Sequence, residues 1–364
     1  YGQSAKDFVN SRGGDWSEFR KAETHILKKI INEYSKGHVV SLGGGVVETE
    51  ENRALLRDYG HGGGPIVHII RDIDDIVSYL NSEPSRPSLG EDLHVIYQRR
   101  KPWFHELSNF ELTNLITGKP KSIKAGKAAT ANGFVVSHTT LKGAEDEVSR
   151  FFRFMTGFDT NHVQLSMGRS TYFLCLTLPS YTAPHPALDK FDELIAGVDA
   201  LELRVDLLSA DGKAPTQPQV PDYDYVARQL AALRQRSTLP IIFTVRTASQ
   251  GGMCPDEAQE AIFELMKLGV KAGCEYVDME VRWPSARMRD FVGIKQSTKI
   301  IASWHDFAGG LRWSSQEAVD RYNAAHAVGD VIKIVSKANN VTDNLDMLRF
   351  REKHDDGKPL ITLN

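Results

Sequence analysis

The chain has 364 residues, 41% hydrophobic and 25% charged, an ordinary globular composition with room for two or three domains. A formal charge of −3 leaves no basic surface for a polyanion, so nucleic acid is not an expected partner. Cys175, Cys254 and Cys274 lack metal-ligand spacing and read as reduced thiols, and no apolar run is long enough to span a bilayer, so a cytoplasmic protein without a membrane segment is expected.

In chain order, residues 1–115 give helix-like segments such as "WSEFRKAETHILKKIINEY", a short strand "HVVSL", and a strand-helix pair around "IVHIIRDIDDIVSYL". The start at Tyr1, without an initiator Met, reads as a piece of something longer. Residues 117–142 begin with "TGKPKSIKAGKAATANG", poor in large apolar side chains, and read as a linker. A helix over 143–157 closes the first region, which is assigned residues 1–157.

From residue 171 the pattern becomes short apolar strands with helices between them. The strands are predicted at 171–178, 200–208, 240–247, 275–281, 299–307, 330–336 and 359–364. Such spacing implies right-handed β-α units on a parallel sheet. An open doubly wound sheet and a (β/α)₈ barrel both fit. The lack of a glycine-rich phosphate loop after the first strand favours the barrel, with its eighth strand and last helix lacking after Asn364.

Parallel strands covered by helices should be almost continuously apolar. Here, however, Glu202, Arg204 and Asp206 share one face of "ALELRVDLL", and Arg246 ends "IIFTVR". "YVDMEV" carries Asp278 and Glu280, "SWHDF" carries His305 and Asp306, and "VIKIV" carries Lys333. Each has a plain structural reading: an internal ion-pair network, a strand cap, a solvated strand end, a satisfied core histidine, an aspartate holding a loop, a snorkelling lysine. Together, at the C-terminal ends of five successive strands, they point to one site. A lysine among aliphatics is expected to have a lowered pKa, so its amine can attack a carbonyl to form an imine. A histidine can then move the acidified proton, arginines can hold a carboxylate, and carboxylates can orient the histidine or meet hydroxyls. The chemistry reached is that of a metal-free Schiff-base lyase or aldolase on a hydroxylated acid.

At these residues the chain resembles a known family. "ELRVDLL", "IIFTVRTASQGG", "YVDMEVRWP", "IIASWHDF" and "DVIKIVSKANNVTDNL" are similar to type I 3-dehydroquinate dehydratase, in the form found within fungal AROM polypeptides. The resemblance runs over residues 171–364 and implies a TIM barrel that converts 3-dehydroquinate to 3-dehydroshikimate in the shikimate pathway, without a cofactor. It implies Lys333 as the imine former, His305 as the proton-transfer group assisted by Glu280, and Glu202, Arg204 and Arg246 as substrate-binding residues. Ser249, Gln250 and Gly251 resemble the loop after the arginine. A homodimer is implied as well.

The first region resembles the C-terminal part of shikimate kinase, a partial P-loop-kinase-like α/β domain, through "EFRKAE", "SLGGGVVETEENR", "RPSLGED" and "RRKPWFHELS". Arg20, Gly44, Gly45 and Arg100 would contact shikimate, and Arg86 would lie on a lid over ATP. ATP and Mg²⁺ would serve the kinase in a complete protein, but the chain contains no G-x-x-x-x-G-K-[ST]. The alternative from another class is a quinate-pathway transcriptional repressor derived from the same domains, which would sense ligand without catalysis. The presence of Lys333, His305 and Glu280 favours the enzyme.

Overall fold

The structure, a computed structural model, describes residues 4–82, 90–115, 138–158 and 171–364, with side chains from 144 onward in the third stretch. They fall into two units, residues 1–141 and 142–364. Among the described residues no helix is long and apolar enough to cross a membrane.

In the first unit, helix Trp16–Glu33 is capped by Asp15, whose carboxylate accepts from the Ser17 N–H. Its Leu27 packs with Val46, Val47, Leu56 and Leu107 in a small core. Val46 and Val47 come from the 3₁₀ turn Gly44–Glu48, Leu56 from helix Glu50–His61 and Leu107 from helix Leu93–Leu107. Strands β1 (Val67–Ile70) and β2 (Phe110–Thr113) pair in parallel. The expected strand "HVVSL" is absent: residues 38–42 are irregular and Val39 is 87% exposed. β-branched residues favour a strand only where a neighbour completes the ladder, and no strand among the described residues pairs with this run.

The second unit holds seven parallel strands in strict chain order: β3 (Phe173–Leu176), β4 (Ala200–Arg204), β5 (Ile241–Thr244), β6 (Tyr276–Glu280), β7 (Lys299–His305), β8 (Val331–Val335) and β9 (Leu360–Leu363). Sequential order with helical crossovers is the topology expected of a (β/α)₈ barrel, here an arc with β3 and β9 at its edges. The arc curls. Lys333 of β8 lies 3.5 Å from Glu202 of β4, four strands away, whereas a flat sheet would set them nearly 20 Å apart at about 4.8 Å per strand. β4 ends at Arg204, earlier than its apolar run suggests, because Val205–Leu207 turn into a 3₁₀ segment that buries Asp206.

The helix expected at 143–157 spans His138–Thr156, and from residue 142 on it belongs to the second unit. Its Arg150 donates to the Gly273 carbonyl at 2.9 Å and pairs with Glu275 at 3.3 Å. Glu275 also receives Arg234 at 2.6 Å and the Ile241 N–H at 2.8 Å, so a buried carboxylate ties this helix to the starts of β5 and β6.

Candidate active site

Period-two alternation builds the concave face of the arc in tiers. The floor is Ala200, Ile242, Tyr276, Ile301 and Val331, closed at the edges by Phe173 and Ile361. Two residues further along each central strand stand Glu202, Thr244, Asp278, Ser303 and Lys333. Two beyond those stand Arg204, Arg246, Glu280 and His305. An apolar floor below a polar tier keeps water from one side of every charge.

Lys333, 5% exposed, directs Nζ at Asp278 (3.3 Å) and Glu202 (3.5 Å), with the Phe173 ring centroid 5.5 Å away. The aliphatic neighbours flank the lysine along its strand, but its tip meets two carboxylates. That differs from the wholly apolar surroundings expected of it, because adjacent strands place their polar tier at the same height. Glu202 also accepts from Thr244 Oγ1 at 2.8 Å.

Arg246 stands between the carboxylates of β6. Its Nη2 donates to Asp278 at 2.8 Å, and its Nη1 to Ser303 Oγ at 3.0 Å and Glu280 at 3.3 Å. Burial alone would raise the Asp278 carboxyl, yet Arg246 and Lys333 hold it well below the usual carboxylate range. Glu280 goes the other way. Burial pushes its carboxyl up despite Arg246 and the Thr247 hydrogen bonds. Arg204, nearer the opening, makes a two-pronged pair with Asp206 at 2.9 and 2.8 Å. Asp306 holds its loop, accepting from the N–H groups of Ala308, Gly309 and Leu311.

His305 has a different partner from the one expected. The hydrogen bonds of Glu280 go to Arg246, to the Thr247 N–H (2.9 Å) and to Thr247 Oγ1 (2.7 Å), and none reaches the imidazole. Instead Gln250 Oε1 accepts the His305 backbone N–H at 2.9 Å and lies 3.3 Å from Nδ1. The backbone donor fixes which end of the amide is oxygen, so Nδ1 carries the proton and Nε2 keeps its lone pair. Burial, then the charges of Arg246 and Lys333, push the imidazole pKa down to about 2, leaving it neutral at ordinary pH. Phe307 stacks on the ring at 6.0 Å and 24°. Gly251, at φ +81°, is required there twice: for its left-handed backbone and because a Cβ would run into the Phe307 ring.

Lys333, His305, Glu280, Glu202, Arg204 and Arg246 thus converge on one concave face. Sequence reasoning counted Asp278 among the clustered charges without a role of its own, gave none to Ser303, Thr244 or Thr247 and noted Gln250 only as a loop residue. The alternation that places Glu202 and Arg204 on one face would also have found Thr244 and Ser303.

In the first unit, Arg20, Gly44, Gly45 and Arg100 also come together. The Arg20 guanidinium lies where a Gly45 Cβ would go, and Arg100 Nη1 is 3.9 Å from the equivalent point on Gly44. Arg20 pairs with Glu23 and Arg100 with Glu48, both at 2.7 Å. Arg86 lies outside the described residues. With no phosphate-loop motif in the chain, these residues do not fit ATP and Mg²⁺, and no phosphoryl-transfer step is assigned to them.

The family model of shikimate kinase matches residues 1–129, and that of type I 3-dehydroquinase matches residues 172–364. A pentafunctional AROM polypeptide of Mycosarcoma maydis is 42% identical over 368 residues, covering 98% of this chain and 21% of its own length. The chain therefore spans about a fifth of that relative. Among solved structures, dehydroquinate dehydratase and shikimate dehydrogenase from S. pombe AroM is 37% identical, covering 54% of this chain and 36% of that one, with a TM-score of 0.49. A 3-dehydroquinate dehydratase from Geobacillus kaustophilus HTA426 is 21% identical, covering 54% of this chain and 73% of that one, with a TM-score of 0.46. Its second unit carries a family match over more than half of the sequence, and through it the chain belongs to the type I 3-dehydroquinase family.

Proposed function

We propose that the second unit dehydrates 3-dehydroquinate to 3-dehydroshikimate through an imine on Lys333. The observation that carries this reading is the presence of a buried lysine and a buried histidine on adjacent strands of one concave face. It suits catalysis better than ligand sensing, which needs neither a nucleophile nor a base.

The Lys333 amine, once it has lost a proton, attacks the C3 ketone, and water leaves to form an iminium. The iminium withdraws electrons from C2, and His305 Nε2 removes the C2 proton to give an enamine. The enamine electrons expel the C1 hydroxyl, which leaves as water with the proton that His305 returns. Hydrolysis of the product iminium frees 3-dehydroshikimate and Lys333, so one water is lost overall. Asp278 and Glu202 balance the positive charge on nitrogen.

Glu202, Arg204 and Arg246 meet the hydroxyls and carboxylate of the substrate. Binding a carboxylate there exchanges one anionic partner of an arginine for another, at little desolvation cost. Glu280 acts at one remove. It pins Thr247, and the turn Ala248–Gln250 that follows delivers the amide to His305. In the first unit, Arg20, Gly44, Gly45 and Arg100 belong to a shikimate-binding surface, with Arg86 on an ATP lid in a complete protein. A cytoplasmic homodimer goes with the same reading.

The test is to incubate the chain with 3-dehydroquinate and follow the ultraviolet absorbance of the conjugated enone product. The enone is expected with the unaltered chain and absent with Lys333→Ala. Undiminished turnover in a folded Lys333→Ala variant would overturn the imine route.

A further inference from the structure

The first unit carries a second cluster of chemically active side chains, distinct from Arg20, Gly44, Gly45 and Arg100. In the parallel pairing of β1 and β2, His68 stands directly opposite Glu111. The last turn of helix Leu93–Leu107 brings His105 to the same point. One ligand-type atom from each residue lies within 4.8 Å of the other two.

We propose that His68, His105 and Glu111 form a binding site for a divalent transition metal of the Zn²⁺ class. Two imidazoles and one carboxylate are a recurrent three-residue Zn²⁺ ligand set that leaves a fourth position open. Glu111 is 1% exposed, and a carboxylate that deep gains from a cation beside it. His105 Nδ1 already sits 2.8 Å from Glu111 Oε1. Metal bonds of about 2.0–2.2 Å hold tetrahedral ligands roughly 3.4 Å apart, so insertion asks that pair to open slightly and His68 to close in.

The surroundings are those of a prepared site. Ser108 Oγ donates to Glu111 Oε1 at 3.2 Å and orients the carboxylate. Phe104 stacks on His68 at 5.1 Å and 27°, and the two imidazoles meet edge to face at 5.3 Å. Nitrogen donors select Zn²⁺, Co²⁺ or Ni²⁺ over Mg²⁺, so this site differs in kind from the Mg²⁺ that accompanies a nucleotide. Its position fixes a consequence: the metal would clasp the helix that carries Arg100 to the β1–β2 pair. The expectation of no metal rested on the spacing of the three cysteines and on a metal-free Schiff-base chemistry. Here the first two ligands are 37 positions apart and the third lies 6 further on, so pairing of β1 with β2 is what assembles them.

The test uses the full chain stripped of metal and titrated with Co²⁺. One equivalent is expected to bind with the strong visible absorption of low-coordinate cobalt, to be displaced by Zn²⁺ and to ignore excess Mg²⁺. Glu111→Gln and His68→Asn should each weaken binding beyond the 10–100-fold or so typical of outer-sphere changes, while His354→Asn should leave it intact. Zn²⁺ should also shield His68 and His105 of the unaltered chain from diethylpyrocarbonate, read by peptide mass spectrometry, which needs no variant to fold. No stoichiometric binding, binding unchanged in both ligand variants, or no shielding of the two histidines would overturn the proposal.

Discussion

In the second unit Lys333, Arg246, Asp278, Glu280 and Glu202 are each less than a tenth exposed, and they come from neighbouring strands of one curled sheet. In the first unit Arg20 and Arg100 pair with Glu23 and Glu48 at similar distances, but all four side chains are 12–20% exposed and stand on helices and a 3₁₀ turn. Distances of ion pairs therefore do not separate the two regions. What separates them is the floor. Five buried strand residues exclude water beneath the second set, so each charge there depends on its partners for solvation. The first set keeps access to water and can lose a partner at small cost.

The largest test of that contrast is kinetic. His305→Ala should lower turnover of 3-dehydroquinate by about 10²–10⁴-fold, the usual worth of a general acid-base group. The variant should still form the covalent adduct on Lys333, and loss of both together would mean that His305 serves the fold and not the proton transfer.

The next test is thermodynamic. Arg246→Ala takes a buried cation from both Asp278 and Glu280 and should cost about 3–5 kcal/mol. Arg100→Ala, which leaves the partly exposed Glu48 still paired with Arg99, should cost about 1 kcal/mol. Chemical denaturation of each variant measures both, and equal losses would erase the distinction between the regions.

Gln250→Ala sharpens the account of His305. Without the amide oxygen, the imidazole loses the partner that fixes its tautomer, and kcat should fall about tenfold with KM little changed. A change confined to KM would make Gln250 a substrate contact instead.

The smallest effect is the pH dependence of stability. The unfolded histidine takes up a proton near its ordinary value of 6.5, the buried one only near 2. Between those values the unfolded state holds more protons, so the folded state loses stability as pH falls below 6.5, by at most about 1.4 kcal/mol per pH unit. Asp278, held low, adds its own acid loss only once the pH falls through the ordinary carboxylate value of 3.8 and below. Denaturation from pH 6.5 down to about 4.5 should therefore be steeper for the unaltered chain than for His305→Asn. Parallel curves would remove His305 from the buried site.

Much of the second unit was legible because its strands are covered by helices, which makes them apolar runs that ionisable residues interrupt visibly. Lys333 and His305 stand out for that reason alone. What stayed hidden depends on the third dimension. That Lys333 Nζ ends between Asp278 and Glu202 follows from the curl of the sheet, which no single strand reports. Gln250 is a neutral amide in a turn without periodicity, so nothing local marks it as the partner of His305. "HVVSL" failed for the opposite reason: its composition suits a strand, but pairing is a property of neighbours. His68, His105 and Glu111 form a cluster only after β1 and β2 pair.

The central claim is that Lys333 acts as a nucleophile within this ring of charges. It is tested most directly by treating the chain with 3-dehydroquinate and borohydride, then mapping the reduced adduct by peptide mass spectrometry. One adduct is expected, on the peptide containing Lys333, and none with Lys333→Ala. Turnover without any adduct on Lys333, or with the adduct on another lysine, would contradict it.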